Sequence, residues 1–345
     1  MHFTRESIFV SIIRTFCVTF AAVIGFFVAI FVGAIAIGSL SDSVTTPDKS
    51  ELTLSADSEG HRSLLTETAP VVLRINISGV IGELDLTTQK IENMLLDSRK
   101  GVLKKDRVKA ILLYINTPGG TAIDSSGIYR ALKTYKEKYH IPIYTYVDGF
   151  CASGGMYIAS ASDKIYASSD SVIGSIGVIL GPAFNVVDAM EKIGVKALTL
   201  TEGTDKDTLN PFRPWKAGEE ASLKLITAGL YEQFVDAVAQ ARPLLTKDKL
   251  INEYGAKIFL AEEAVSIGYI DNWNTSYNQA LTELTTAAGI KEKYQVLQIA
   301  PPRSILSEIA QGSSTILRGK VHHTFPIAPN INSDMSGKFL YLYQP

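Results

Sequence analysis

From Val71 onward the chain alternates short apolar runs with longer stretches whose apolar residues recur every three or four positions. Runs at 71–77, 108–115, 143–147, 164–167, 177–180 and 195–200 read as strands, several of them apolar on both faces as buried strands are. Helical spacing marks 86–98, a stretch from the turn at Gly119-Gly120 to about Lys138, 153–160, 186–193, 261–267 and 277–286. A longer helix carries Leu223, Ile226, Leu230, Phe234 and Val238 at that spacing. Strand–helix units in succession predict an α/β core built on parallel strands. From Pro301 the periodic signal fades. The chain then closes on the apolar Phe339-Leu340-Tyr341-Leu342-Tyr343, either a last edge strand or a segment that docks on a neighbour.

Ahead of this pattern lies a run of a different kind. No residue between Arg14 and Asp42 is charged, and Phe16 to Leu40 is almost wholly apolar. About 20 apolar residues suffice to cross a bilayer, so residues 15–40 are expected to form a transmembrane anchor. Arg5 and Arg14 precede the run and Asp42, Asp48 and Glu51 follow it. This bias puts a stub, residues 1–14, in the cytoplasm and the remainder outside it. A cleaved signal peptide is the competing reading, through the small residues at Ala34-Ile35-Ala36, but its apolar core normally spans only about 7–15 residues. Residues 41–69, rich in Ser, Thr and Asp, read as a linker. A catalytic domain is expected over 70–300 and a C-terminal extension over 301–345.

A net charge of -2 spread over 345 residues provides no electrostatic footprint for nucleic acid. The two cysteines, Cys17 and Cys151, lie in the apolar run and beside a glycine turn, which rules out a disulfide framework.

The stretch Cys151-Ala152-Ser153-Gly154-Gly155-Met156-Tyr157 places a serine where a strand should turn sharply into a helix. Such turns present a nucleophile, and the small residues behind it let a carbonyl approach the main chain. Serine needs a base. Of the five histidines, His2, His61, His322 and His323 lie in the stub, linker and tail, and His140 suits a helix-capping position. A lysine can take the role if desolvation keeps it neutral. Lys133, Lys136 and Lys138 belong to a charged helix face. Lys206 stands apart in a loop ahead of Pro211-Phe212-Arg213-Pro214-Trp215, although an exposed loop lysine between acids is the plainer reading there. Asn116-Thr117-Pro118-Gly119-Gly120 is either a turn after a strand or a place for a main-chain N–H to face an oxyanion.

These segments resemble the signal peptide peptidase A family, peptidase family S49. The resemblance rests on Asn-Thr-Pro-Gly-Gly at 116–120, Ala-Ser-Gly-Gly-Met-Tyr-Ile-Ala at 152–159, Gly-Ser-Ile-Gly-Val at 174–178, Lys-Asp with Pro-Phe-Arg-Pro at 206–214, and Ile-Phe-Leu-Ala-Glu-Glu-Ala-Val-Ser-Ile-Gly-Tyr-Ile-Asp at 258–271. It implies a Clp protease/crotonase-like core of stacked β-β-α units behind an N-terminal transmembrane helix. It further implies Ser153 as nucleophile, Lys206 as general base, Gly120 and Gly154 as oxyanion donors, and Ser175 as the hydroxyl that orients the lysine. The implied protein is a serine endopeptidase of the bacterial inner membrane. It would need no cofactor or metal, act on signal-peptide remnants and apolar peptide segments, and assemble into a homo-oligomeric ring or dome. Ser and Lys from neighbouring subunits can then complete each site. An acyl-CoA enzyme of the same fold and a non-catalytic membrane scaffold are the alternatives.

Overall fold

In the computed structural model, which describes residues 14–29, 51–83, 86–300 and 340–342, the chain divides into two units, Met1–Lys49 and Ser50–Pro345. The first contains one described helix, α1, over residues 14–29, with Phe16 and Phe20 stacked one turn apart. Among the described residues no helix is long and apolar enough to cross a membrane. Residues 30–40 of the expected anchor and residues 1–13 of the stub lie outside the described residues.

The second unit runs β1 (Glu51–Ser55), β2 (Val71–Ser78), α2 (Thr88–Asp97), β3 (Val108–Thr117), β4 (Gly119–Thr121), α3 (Ala122–Tyr139), β5 (Ile143–Ala152) and α4 (Gly154–Ala159). There follow β6 (Lys164–Ala167), β7 (Val172–Gly174), α5 (Val187–Lys192), α6 (Ala221–Ala241), β8 (Ile258–Leu260), α7 (Ala261–Ile267), α8 (Tyr277–Ala287), β9 (Gln295–Ala300) and β10 (Leu340–Leu342). The large sheet has the order β1-β9-β2-β3-β5-β7-β8, with β6 also on β5. Its centre is parallel, as the strand–helix alternation predicts. Its two ends are antiparallel, β1 on β9 and β7 on β8.

Successive strand residues point to opposite faces, and this period sorts the core. Leu73, Ile75, Ile77, Ile111, Leu113 and Ile115 face one way, packing with Ile91, Leu95, Ile128, Leu132, Phe234 and Val238 of α2, α3 and α6. Val72, Ala110, Leu112, Tyr144 and Tyr146 face the other way, against Ala280, Leu281 and Leu284 of α8. Burial on both faces explains why these strands read as continuous apolar runs.

Three expectations differ from what is observed. β1 lies inside the stretch expected to be a linker and pairs with β9 from Glu51–Ala300 to Ser55–Val296. The run at 195–200 forms no strand, and Leu198 and Leu200 are 83% and 85% exposed. The run at 177–180 supplies one bridge, Ile179 to Leu340, and nothing longer. Apolar, β-prone residues become a strand only where an edge is in reach, since strand preference is mostly packing context. His140 serves as the left-handed C-cap of α3, its N–H donating to the Lys136 carbonyl at 2.8 Å.

Candidate active site

The site forms where β3 and β5 end. At that end Asn116 Oδ1 accepts the Phe150 N–H at 3.1 Å, and the register between the two strands shifts past Ile115. Thr117 Oγ1 donates to the Gly79 carbonyl and accepts the Gly119 N–H at 3.1 Å. In the sequence both residues stand within the 116–120 motif with no task of their own. Their polarity beside a glycine turn was the available signal. They hold the loop that carries Gly119 and Gly120.

β5 runs straight into Ser153, whose φ of 52° and ψ of -116° lie where a side chain is strained. The Ser153 N–H donates to the Gly174 carbonyl at 2.8 Å, and α4 begins at the next residue. The serine is 1% exposed. This is the sharp strand-to-helix turn expected of the segment 151–157. Cys151 beneath it is fully buried 3.9 Å from Met156 Sδ, and burial pushes its thiol up, so it fills space. Met156, in the first turn of α4, is core.

Ile81 N–H donates to Gly119 O, and Thr121 N–H donates to Ile81 O, both at 2.9 Å. By strand alternation the N–H of Gly120 therefore points to the opposite edge of β4. A Cβ at Gly120 would overlap the backbone of Ile81, so the crossing requires glycine. Gly119 (φ 104°) brings this strand so close to α4 that a Cβ there would lie 2.9 Å from the Gly154 nitrogen. The Gly154 N–H belongs to the first turn of α4, where intrahelical acceptors are lacking.

Ala152 pairs with Gly174 across β5 and β7, which sets Ser153 and Ser175 side by side as the next residue of each strand. Ser175 also has a positive φ, 57°, and is 6% exposed; its N–H donates to Lys257 O at 2.7 Å. Beyond it opens a mostly apolar cleft of about 710 Å³ lined by Ile176, Val178, Leu180, Leu209, Leu223 and Tyr231, among others. The fold thus gathers Ser153, Gly154, Gly120 and Ser175.

Lys206 is placed differently. It is exposed on an arm between α5 and α6, and among the described residues no hydrogen bond or ion pair joins it to Ser153. The arm itself is firmly built. Arg213 holds Asp207 through two bonds (Nε–Oδ2 2.6 Å, Nη2–Oδ1 3.1 Å) and reaches Glu219 at 2.8 Å. Val186 N–H donates to Pro211 O, and Trp215 Nε1 donates to Asn210 O, each at 2.9 Å. The Arg213 hydrogen bond holds the Asp207 carboxyl below its ordinary value. This brace went unread in the sequence because Asp207 and Arg213 were seen only as motif letters flanking the lysine. Among the described residues no cluster of His, Cys, Asp and Glu could hold a metal.

The family model described as Peptidase family S49 matches residues 135–291, a span that includes Ser153, Gly154, Ser175 and Lys206. A candidate protease of Synechocystis sp. is 30% identical over 257 residues, covering 73% of this chain and 87% of that protein. A candidate signal peptide peptidase SppA of Enterococcus faecium is 32% identical over 206 residues, 58% of this chain and 59% of its own length. The chain thus spans most of the first relative and somewhat over half of the second. Among solved structures a ClpP1 mutant of Listeria monocytogenes aligns with 60% of this chain and 94% of its own, at 15% identity and a TM-score of 0.40. That likeness is too partial to carry weight.

Proposed function

The chain belongs to peptidase family S49 and is a serine protease, and from that premise we propose that Ser153 and Lys206 form its catalytic dyad. Family membership removes the acyl-CoA and scaffold alternatives. One observation carries the reading: Ser153 sits in a strained turn directly ahead of α4, and the Gly119-Gly120 strand passes close to the Gly154 nitrogen.

Ser153 Oγ attacks a peptide carbonyl, and neutral Lys206 takes its proton. The oxyanion that forms is held by the two glycine N–H groups, each donor of this kind being worth about 3 kcal/mol in acyl transfer. Collapse expels the amine, which receives the proton from Lys206, and leaves an acyl-enzyme. Lys206 then activates water to release it, while the Ser175 hydroxyl orients the amine.

A base must be uncharged, and an amine standing in water is protonated. Lys206 therefore acts after an assembly step that carries its arm into the site of a neighbouring copy and strips water from it. Two features support this: Lys206 lies exposed on a braced arm, and the arm leaves Ile193, Leu198, Leu200 and Phe212 facing solvent. The assembly is a ring or dome of identical chains, anchored through residues 15–40 in the bacterial inner membrane with the catalytic unit outside the cytoplasm. The apolar cleft beyond Ser175 suits signal-peptide remnants and other apolar segments.

Ser153→Ala and Lys206→Ala are each expected to reduce hydrolysis of an apolar peptide to background, with thermal unfolding unchanged. Wild-type turnover in either variant would refute the dyad.

A further inference from the structure

From Thr117 to Thr121 the chain reads Thr-Pro-Gly-Gly-Thr, and its backbone freedom is unevenly spread. Pro118 has a fixed φ and no N–H to give. The two glycines rotate more freely than any other residue type, and Gly119 sits at a φ of 104°. Nothing in that local sequence settles which way the Gly119–Gly120 peptide plane faces. Its orientation decides whether the Gly120 N–H or the Gly119 carbonyl points to the edge of β4 away from Ile81. An N–H there stabilises an oxyanion, and a carbonyl would repel one.

Two hydrogen bonds set the plane, one on each side of Gly119. The Gly119 carbonyl accepts the Ile81 N–H at 2.9 Å. The Gly119 N–H donates to Thr117 Oγ1 at 3.1 Å, and the Thr117 hydroxyl in turn donates to the Gly79 carbonyl at 2.5 Å. A carbonyl can only accept and an amide N–H can only donate, so the hydroxyl has one way to serve both. Thr117 is fully buried, opposite Cys151 in the register of β3 and β5. Its methyl group packs against α4, where a Cβ at Gly155 would come within 2.7 Å of Thr117 Cγ2. One side chain therefore touches the residue after β2, the start of β4 and the first turn of α4.

We propose that Thr117 is a positioning residue for the hydrolysis: its hydroxyl holds the Gly119–Gly120 peptide with the Gly120 N–H toward the reacting carbonyl, and its methyl sets the spacing between that strand and the helix that follows Ser153. This rests on the Ser153 reading above. Thr117 touches no substrate and acts through Gly119. With valine in its place the buried Gly119 N–H loses its acceptor, and the glycine pair is free to turn its donor away.

The test compares the full-length wild type with Thr117→Val, which keeps the shape and removes the hydroxyl, and Thr117→Ser, which keeps the hydroxyl and removes the methyl. Three readouts are used: hydrolysis of an apolar peptide with an amide-linked fluorophore, binding of the matching peptide aldehyde and peptide alcohol, and thermal unfolding. The aldehyde adds the serine to form a tetrahedral adduct, whereas the alcohol occupies the cleft without reacting. Thr117→Val is expected to lower kcat by about 10–100-fold with KM within about twofold, a smaller loss than outright removal of a donor. Its affinity for the aldehyde should fall by the same factor as kcat/KM, and its affinity for the alcohol should stay at the wild-type value. Thr117→Ser should keep kcat within about threefold while unfolding at a lower temperature, since what it loses is packing. Wild-type kcat in Thr117→Val, equal loss of kcat in both variants, or equal weakening of aldehyde and alcohol would each overturn the proposal and leave the protease intact. Failure of a serine-directed acylating probe to label Ser153 in the wild type would overturn the Ser153 reading, and this inference with it.

Discussion

Ser153 takes a backbone conformation that side chains rarely adopt, and the residues around it are small because the turn leaves no room for others. That demand is local, so it is written in consecutive letters, and the sharp turn at Ser153 was legible from Ala152-Ser153-Gly154-Gly155 alone. Ser175 and Gly120 entered through the family resemblance, and the register of β5 with β7 explains how one of them comes to stand beside Ser153. Other residues matter through distant partners and left no such trace. Asp271, known in the sequence only as the end of a motif, accepts from Arg242 Nη1 at 2.6 Å, from the Ile165 N–H at 2.9 Å and from Lys164 Nζ at 3.0 Å. Burial acts to raise its carboxyl, and the hydrogen bonds from Arg242 and Ile165 outweigh it, so the net shift is downward. Asp271→Ala should lower unfolding free energy by about 2–3 kcal/mol, the value of hydrogen bonds to a charged group, measured by urea denaturation. Because the folded value lies below the ordinary 3.8, this contribution is complete above that pH and is lost as pH falls through the lower folded value. The difference between wild type and variant should therefore shrink in acid. A constant difference down to strongly acidic pH would contradict the assignment.

At the scale of elements, period decided what could be read. Helices α3, α6, α7 and α8 fall close to where apolar spacing puts them, because a one-sided stripe repeats over several turns. The central strands are equally plain, being buried on both faces. The short elements β4, β7 and β8, of three residues each, are too brief to show a period, and β9 lies where the periodic signal fades. The arm illustrates the opposite case, where residues 195–200 have strand-like composition and no edge to join. What stiffens the arm is the Asp207–Arg213–Glu219 brace. Asp207→Asn should make the arm between α5 and α6 cleavable by trypsin at neutral pH, while the wild-type arm resists. The wild-type arm should loosen when acid protonates Asp207, whose lowered value keeps the ion pair intact until pH falls below the ordinary carboxylate range. Equal cleavage of both proteins at neutral pH would count against the brace.

At the scale of the whole molecule, the turn at Ser153 and the Gly119-Gly120 strand meet within one chain, whereas Lys206 is exposed on the arm and, among the described residues, has no bond to Ser153. If each site draws Ser153 from one subunit and Lys206 from the next, mixed assemblies of Ser153→Ala and Lys206→Ala chains contain some sites with both residues intact. Co-expressing the two inactive variants should therefore restore part of the wild-type turnover, read on the same fluorogenic peptide. Complete inactivity of well-assembled mixtures would place both residues of the dyad in one subunit.

By itself the sequence determined the apolar periods that build the α/β core, and the small-residue turns at 119–120 and 153–155. Both follow from constraints acting between near neighbours in the chain. Tertiary structure alone decided which strands close the sheet in antiparallel sense, how Asn116 and Asp271 are used, that Lys206 is exposed on its arm, and that β10 pairs with β4. Those outcomes depend on which distant groups reach a given edge or charge, and chain order does not record that.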